Sequence, residues 1–238
     1  MLNKDRINQK SDKCTGSVVS TKGLITIGSS PVVFSMTLGG HLRFTIEPDE
    51  AKFKELVLYI SAKSQSDPKF GRTKLNKILF YSDFMAFRMY NRPITGVEYR
   101  ALENGPVPKR MIPILEQLKE SGALMEHETR YFERQQIRQL ALRPADLSVF
   151  SATEIALVDQ VIDDLREHNA TEVSELSHKF PGWKAAIAGE ESIPYEMAYT
   201  ASPVDESPES PELIRNLLRI AGEMGAFGFE ESAESPRL

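Results

Sequence analysis

Residues 73–108 read TKLNKILFYSDFMAFRMYNRPITGVEYRALENGPVP, and the change of pattern halfway along this stretch decides the fold. In its first half Leu75, Ile78, Leu79, Met85, Ala86 and Met89 share one helical face, and Phe80, Tyr81, Phe84 and Phe87 widen the apolar stripe. That density predicts a central helix, opening near a Thr73 cap and buried on several sides. Asn91-Arg92-Pro93 stops it, because Pro93 biases its predecessor away from the helical region. Ile94-Thr95-Gly96-Val97-Glu98-Tyr99 is then strand-like with a glycine break, and Asn104-Gly105-Pro106 is a turn signal. Val107-Pro108 leads into a helix carrying Met111, Ile114, Leu115 and Leu118 and closed by Gly122. Pro113 either sits in the first turn of that helix or kinks it.

Upstream, Pro48, Asp49 and Glu50 open a helix of about residues 49–63 with Phe53, Leu56, Val57 and Ile60 on its apolar face, and a polar loop, Ser64 to Gly71, breaks it. Residues 1–47 hold short runs such as Leu24-Ile25-Thr26-Ile27, Val32-Val33-Phe34 and Leu42-Arg43-Phe44-Thr45-Ile46 between glycines, which read as a few short strands or a loose arm. Downstream, Leu124 to Leu142 reads as a β-hairpin bending at Phe132-Glu133-Arg134-Gln135-Gln136. Ser151 and Glu154 form a capping box for a helix whose face is Ile155, Val158, Ile162 and Leu165. A short helix from Thr171 to about Lys179 is expected to stop at Pro181-Gly182. Residues 202–212 are a Pro/Ser/Glu-rich linker, and 213–238 hold an amphipathic helix (Leu213, Leu217, Ile220, Met224) and an acidic end. The expected class is mainly α (α+β): a compact helical domain over 48–201 with a small hairpin or wing, in the helix, helix, hairpin, helix order of a winged-helix unit.

Composition narrows the function. With 238 residues, 41% apolar and 26% charged, the chain is in the ordinary globular range, and no apolar run approaches the roughly 20 residues a membrane helix needs. The first residues lack the apolar core of a secretory signal, and a single cysteine, Cys14, excludes an internal disulfide framework, so a cytoplasmic location is expected. A net charge of -5 argues against autonomous nucleic-acid binding, which needs clustered Lys and Arg to neutralise phosphates. The sequence has no paired-histidine metal spacing, no Gly-x-Ser-x-Gly elbow and no phosphate-cradling glycine loop, so neither metal nor cofactor is expected and catalysis is the weakest class.

Particular residues carry particular expectations. Lys74 and Lys77 fall on adjacent parts of one helix surface, where they meet either an acidic partner or solvent. Leu75 belongs to the core, and Asn76 is read as a capping or tertiary hydrogen-bonding residue. Asp83, among aromatic rings, would be costly to bury alone, so an ion pair with Arg72, Arg88 or Arg100 is expected. Gly96 and Gly105 supply backbone conformations that other residues resist, and Pro106 and Pro108 fix the approach to the next helix. His178, close in sequence to Trp183, reads as a satisfied buried hydrogen-bonder. Tyr90, Tyr99, Arg100 and Lys109, on or beside the irregular segment 91–110, are candidate partner contacts, because a loop held between packed helices presents side chains the core does not need.

The ordered set Phe70-Gly71-Arg72-Thr73-Lys74-Leu75-Asn76-Lys77-Ile78-Leu79-Phe80, Asp83, Pro93-Ile94-Thr95-Gly96, Glu98-Tyr99, Gly105-Pro106-Val107-Pro108, Ser177-His178, Trp183 and Ile193-Pro194-Tyr195-Glu196 resembles the Panacea domain, also called the SocA-like antitoxin domain. The resemblance covers roughly residues 50–200. It implies an antitoxin that neutralises a toxin, usually encoded next door, by direct protein contact, or that hands it to an ATP-dependent protease as an adaptor. Two other readings stand beside it. One is a winged-helix regulator binding its own operon DNA through Arg130, Arg134, Arg138 and Arg143 near the wing; the other is a hydrolase using His178 and a carboxylate.

Overall fold

The computed structural model describes residues 21–27, 30–36, 42–131, 134–189 and 192–199, with side chains from Ile46 onward except that of Arg134. The linker and C-terminal helix expected beyond residue 202 lie outside these residues. A boundary between Ile46 and Glu47 divides the chain into two units. In the first, β1 (Thr21–Ile27), β2 (Ser30–Met36) and β3 (Leu42–Thr45) form an antiparallel sheet in the order β1-β2-β3, with Leu24 across from Val33 and Phe34 across from Phe44. The three expected short runs are these three strands.

The second unit is built around one helix. α1 (Glu50–Lys63) is capped by Asp49, whose carboxylate accepts from the Lys52 amide at 2.9 Å, and it buries the expected Phe53, Leu56, Val57 and Ile60. α2 (Arg72–Tyr90) starts one residue before Thr73, behind Gly71, without a capping side chain. The reason is steric: a Cβ on Gly71 would lie 2.9 Å from Gln136 Cγ and 3.2 Å from the Ile137 carbonyl oxygen, so the helix start is pressed against a strand. Its end is Asn91, in the left-handed region at φ 54°. Leu75, Ile78, Leu79, Phe80, Phe84, Ala86 and Phe87 are all buried, which makes α2 the central helix the apolar density predicted. Met85 and Met89 are half-buried.

The segment after α2 departs from expectation. Residues 94–98 are irregular, and the strands are β4 (Tyr99–Leu102) and β5 (Gly105–Pro108), a tight hairpin in which Leu102 faces Gly105 across the exposed Glu103 and Asn104. Gly105 adopts φ +90°, which closes this turn, and the prolines of β5 are tolerated because it is an edge strand. α3 (Met111–Glu120) follows with Pro113 in its first turn, the first of the two alternatives.

β6 (Leu124–Tyr131) and β7 (Arg134–Ala141) form the second hairpin. Its bend is tighter than predicted. Tyr131 already faces Arg134, so Arg134, Gln135 and Gln136 belong to the strand. After a 3-10 turn at Leu147–Val149, α4 (Ala152–Leu165) carries the expected Ser151/Glu154 capping box, and it buries Leu157 and Val161 beside Val158, Ile162 and Leu165, with Ile155 only half-buried. α5 (Ala170–His178) has a second capping box, Asn169 with Glu172. It ends at His178, as the expected short helix does, and Pro181-Gly182 then starts a separate α6 (Pro181–Gly189), since a proline in the first turn has no amide to lose. β8 (Ser192–Ile193) joins β4, giving the order β5-β4-β8, and a 3-10 turn at Tyr195–Tyr199 returns to α2. The architecture is mainly α with a small β part, and it has two separate hairpins where the winged-helix order supposed one.

Candidate functional site

Charged side chains on α2 point inward, and each has a different solution to burial. Asp83 is fully buried and is held by hydroxyl and amide donors. Its Oδ1 accepts from the Thr95 amide at 2.7 Å; Oδ2 accepts from Thr95 Oγ1 at 2.5 Å and from the Tyr99 hydroxyl at 2.8 Å. The Tyr195 hydroxyl lies 3.4 Å from the same oxygen and donates to the Val97 carbonyl at 2.7 Å. Burial pushes the Asp83 carboxyl upward, and these donated hydrogen bonds oppose it. The expected ion pair is therefore replaced by hydroxyl and amide donors from the irregular segment, β4 and the C-terminal turn. Arg72 is engaged elsewhere, 2.6 Å from Glu126, and Arg100 is exposed. Aromatic packing closes the site: Phe84 stacks on Tyr195 at 4.7 Å and lies 4.4 Å from Phe80.

Lys74 and Lys77, expected on the surface, are both buried, so neither meets solvent or a partner. The apolar stripe is wide enough to carry their positions into the core. Lys74 Nζ pairs with Asp67 Oδ2 at 2.5 Å and donates to the Arg166 carbonyl at 2.8 Å; burial draws its pKa down and Asp67 opposes this. Lys77 has no carboxylate beside it. Its Nζ donates to the Pro106 carbonyl at 3.1 Å, and burial pushes its pKa down to about 7. Gly105 completes the contact: a Cβ there would lie 2.2 Å from Ser177 Oγ and 2.6 Å from Lys77 Cε, so only glycine lets β5 approach α2 and α5 this closely.

The other singled-out residues fall into place around this core. Tyr99 is buried with its hydroxyl on Asp83, which removes it from the candidate contact surface. Asn76 does not make the expected tertiary bond, since its Oδ1 is buried without a hydrogen-bond partner. Tyr90 is half-buried. His178 stacks on Trp183 with ring centroids 4.0 Å apart, but its Nε2 is buried and unpartnered, so it is not the satisfied hydrogen-bonder expected. Trp183 Nε1 donates to the Leu102 carbonyl at 3.1 Å.

What remains on the surface is the outer face of the β5-β4-β8 sheet. Along β4 the burial alternates, Tyr99 and Ala101 inward, Arg100 and Leu102 outward. Exposed Lys109 pairs with Glu98 at 2.5 Å on the same sheet. The arginines proposed for DNA contact are partly committed: Arg138 donates to the Gln65 carbonyl at 2.8 Å, and Arg143 pairs with Glu55 at 2.6 Å. Among the described residues no group of His, Cys, Asp and Glu could hold a metal ion, and no helix is long and apolar enough to cross a membrane.

The family model described as antitoxin SocA-like, Panacea domain, matches residues 75–184. Over that stretch the chain is similar to the Panacea domain. No curated protein and no solved structure matches it. The matched span begins inside α2 and ends inside α6, so it contains Lys77, Asp83, Thr95, Tyr99, Gly105 and Ser177. Tyr195, which shares the Asp83 site, lies beyond it. The stretch that resembles the family is thus largely the stretch that builds the buried polar centre. The sequence reading missed Thr95 and Tyr195 as its donors. Their signal was available, because an aspartate among aromatic residues can be satisfied by hydroxyls as well as by cations.

Proposed function

We propose that this protein is an antitoxin that neutralises a toxin encoded beside it by direct protein contact, without catalysis of its own. The observation that carries the reading is the antitoxin SocA-like domain match over residues 75–184. The fate of the ionisable groups supports it: Asp83, Lys77 and Lys74 are buried and hydrogen-bonded within the fold, where no substrate reaches them. The toxin-facing surface we assign to the outer face of β4 and its surroundings, with Arg100 and Lys109 kept from the sequence reading and Leu102 added; Tyr90, at the end of α2 with its hydroxyl buried, is left out of it. Leu102 is 38% exposed beside Trp183, and an apolar centre with an arginine neighbour is the composition that concentrates binding energy. Binding there would cover the toxin's active surface; handing the toxin to an ATP-dependent protease is an extension of the same contact.

Titration calorimetry between the purified protein and the product of the adjacent reading frame tests the contact. The reading expects a stable complex that Arg100→Glu combined with Lys109→Glu weakens by about tenfold or more, since both side chains are exposed and their loss leaves the fold intact. Absence of a complex with the unaltered protein removes the reading. An unweakened complex with the variant moves the surface elsewhere.

A further inference from the structure

The strand edges of the second unit differ in how they are covered. β5 is blunted by Pro106 and Pro108 and packs on α2 and α5. β4, beyond its short pairing with β8, has its Leu102 carbonyl occupied by the Trp183 indole. β7 is covered by the loop before α2, where Gln136 Nε2 donates to the Phe70 carbonyl at 2.9 Å and Arg138 to that of Gln65 at 2.8 Å. β6 is different. It is eight residues long, pairs among the described residues with β7 alone, packs against α3 (Lys119 Nζ lies 3.0 Å from Glu126), and contains no proline and no break in register.

The register fixes which backbone groups are left over. The Leu142 amide donates to the Ala123 carbonyl at 2.8 Å, so that pair is a hydrogen-bonded one, and every second pair along the ladder is too: Met125 with Leu140, His127 with Arg138, Thr129 with Gln136. The amides and carbonyls of Glu126, Glu128 and Arg130 therefore point away from β7, and among the described residues no backbone group bonds to them. Glu128 and Arg130 are exposed, as is His127.

We propose that β6 is a self-association edge, and that two copies of this chain pair their β6 strands antiparallel about a two-fold axis at Thr129. The occupant is argued from charge. Pairing centred on Thr129 sets Glu128 opposite Arg130 of the second copy, and by symmetry Arg130 opposite its Glu128. It also sets Thr129 against Thr129 and His127 against Tyr131. Opposite charges, threonine pairs and aromatic pairs are the favourable cross-strand neighbours. The two adjacent registers fail on the same test. Centring on Glu128 opposes Glu128 to itself, and centring on Arg130 opposes Arg130 to itself. Unlike its two neighbours, the Thr129-centred register sets no like charges opposite each other over residues 127–131, and in it each Glu128/Arg130 pair exchanges two backbone hydrogen bonds. The result joins two isolated hairpins into one four-stranded sheet, in which each β6 gains a neighbour on its open side.

Sedimentation velocity of the full chain over a concentration series, with far-ultraviolet melting as the folding control, tests this. The unaltered protein should show a reversible dimer. Glu128→Arg and Arg130→Glu should each weaken it by about tenfold, and the two together in one chain should restore it, because the swapped charges again face each other. Glu128→Pro should abolish the dimer and leave the melting temperature of the monomer unchanged, since the amide it removes takes no part in the β6 to β7 ladder. A protein monomeric at every concentration overturns the proposal. So does a dimer indifferent to the charge swap, which would place the contact on another surface. None of these outcomes depends on whether the protein is an antitoxin.

Discussion

Replacing the buried Lys77 with methionine is expected to stabilise the protein at neutral pH, and to lose that advantage as the pH rises. Lys77 lies in the core with the Pro106 carbonyl as its hydrogen-bond partner, and burial draws its pKa from the ordinary 10.5 to about 7. Between these two values the unfolded chain holds a proton that the folded chain releases, so stability rises with pH through the window. At pH 7 the linkage penalty on folding is about 4 kcal/mol, from 1.36 kcal/mol per pKa unit. Methionine keeps the length of the side chain and removes the penalty. It also leaves the Pro106 carbonyl without its donor, at a cost of about 1–3 kcal/mol. Lys77→Met should therefore be more stable than the parent by about 1–3 kcal/mol at pH 7, and by nothing, or less than nothing, at pH 9.5, where only about 1 kcal/mol of the penalty remains. Urea unfolding followed by Trp183 fluorescence at several pH values measures the difference. A variant less stable than the parent at pH 7, or a difference that does not change with pH, refutes the reasoning.

The same substitution one helical turn earlier should act in the opposite direction. Lys74→Met strands Asp67 in the core without its cation and is expected to cost about 3–5 kcal/mol, read from the same urea curves. Asp83→Asn replaces an acceptor of three close hydrogen bonds with a group that also donates, setting its amide against Thr95 or Tyr99. A loss of about 2 kcal/mol or more is expected in thermal melting, and a variant as stable as the parent would remove Asp83 from the centre of the scaffold.

The central helix could be read from residues 73–108 because apolar spacing is a local property, and α2 buries the stripe it predicted. Caps carried by their own side chains were equally legible, as Ser151 and Glu154 show. What failed was whatever depends on a distant neighbour. Gly71 caps α2 because Gln136 and Ile137 leave no room for a side chain, and those residues lie far along the chain. Lys74 and Lys77 looked like a surface pair because lysine usually is one, yet a helix covered on several sides carries polar positions inward with it. Asp83 was expected to find an arginine and found hydroxyls, one of them on Tyr195, more than a hundred positions away. The exposed face of the β5-β4-β8 sheet could not be located until β4 was, since the turn at Glu103 and Asn104 requires the positive φ of Gly105.

The measurement that bears most directly on function is growth of a bacterial host expressing the adjacent reading frame, alone and then together with this protein. The account predicts that the neighbour alone arrests growth and that co-expression restores it. Arrest that persists in the presence of well-folded protein, or a neighbour that is harmless, would contradict the antitoxin reading and leave the similarity to the Panacea domain as one without that role.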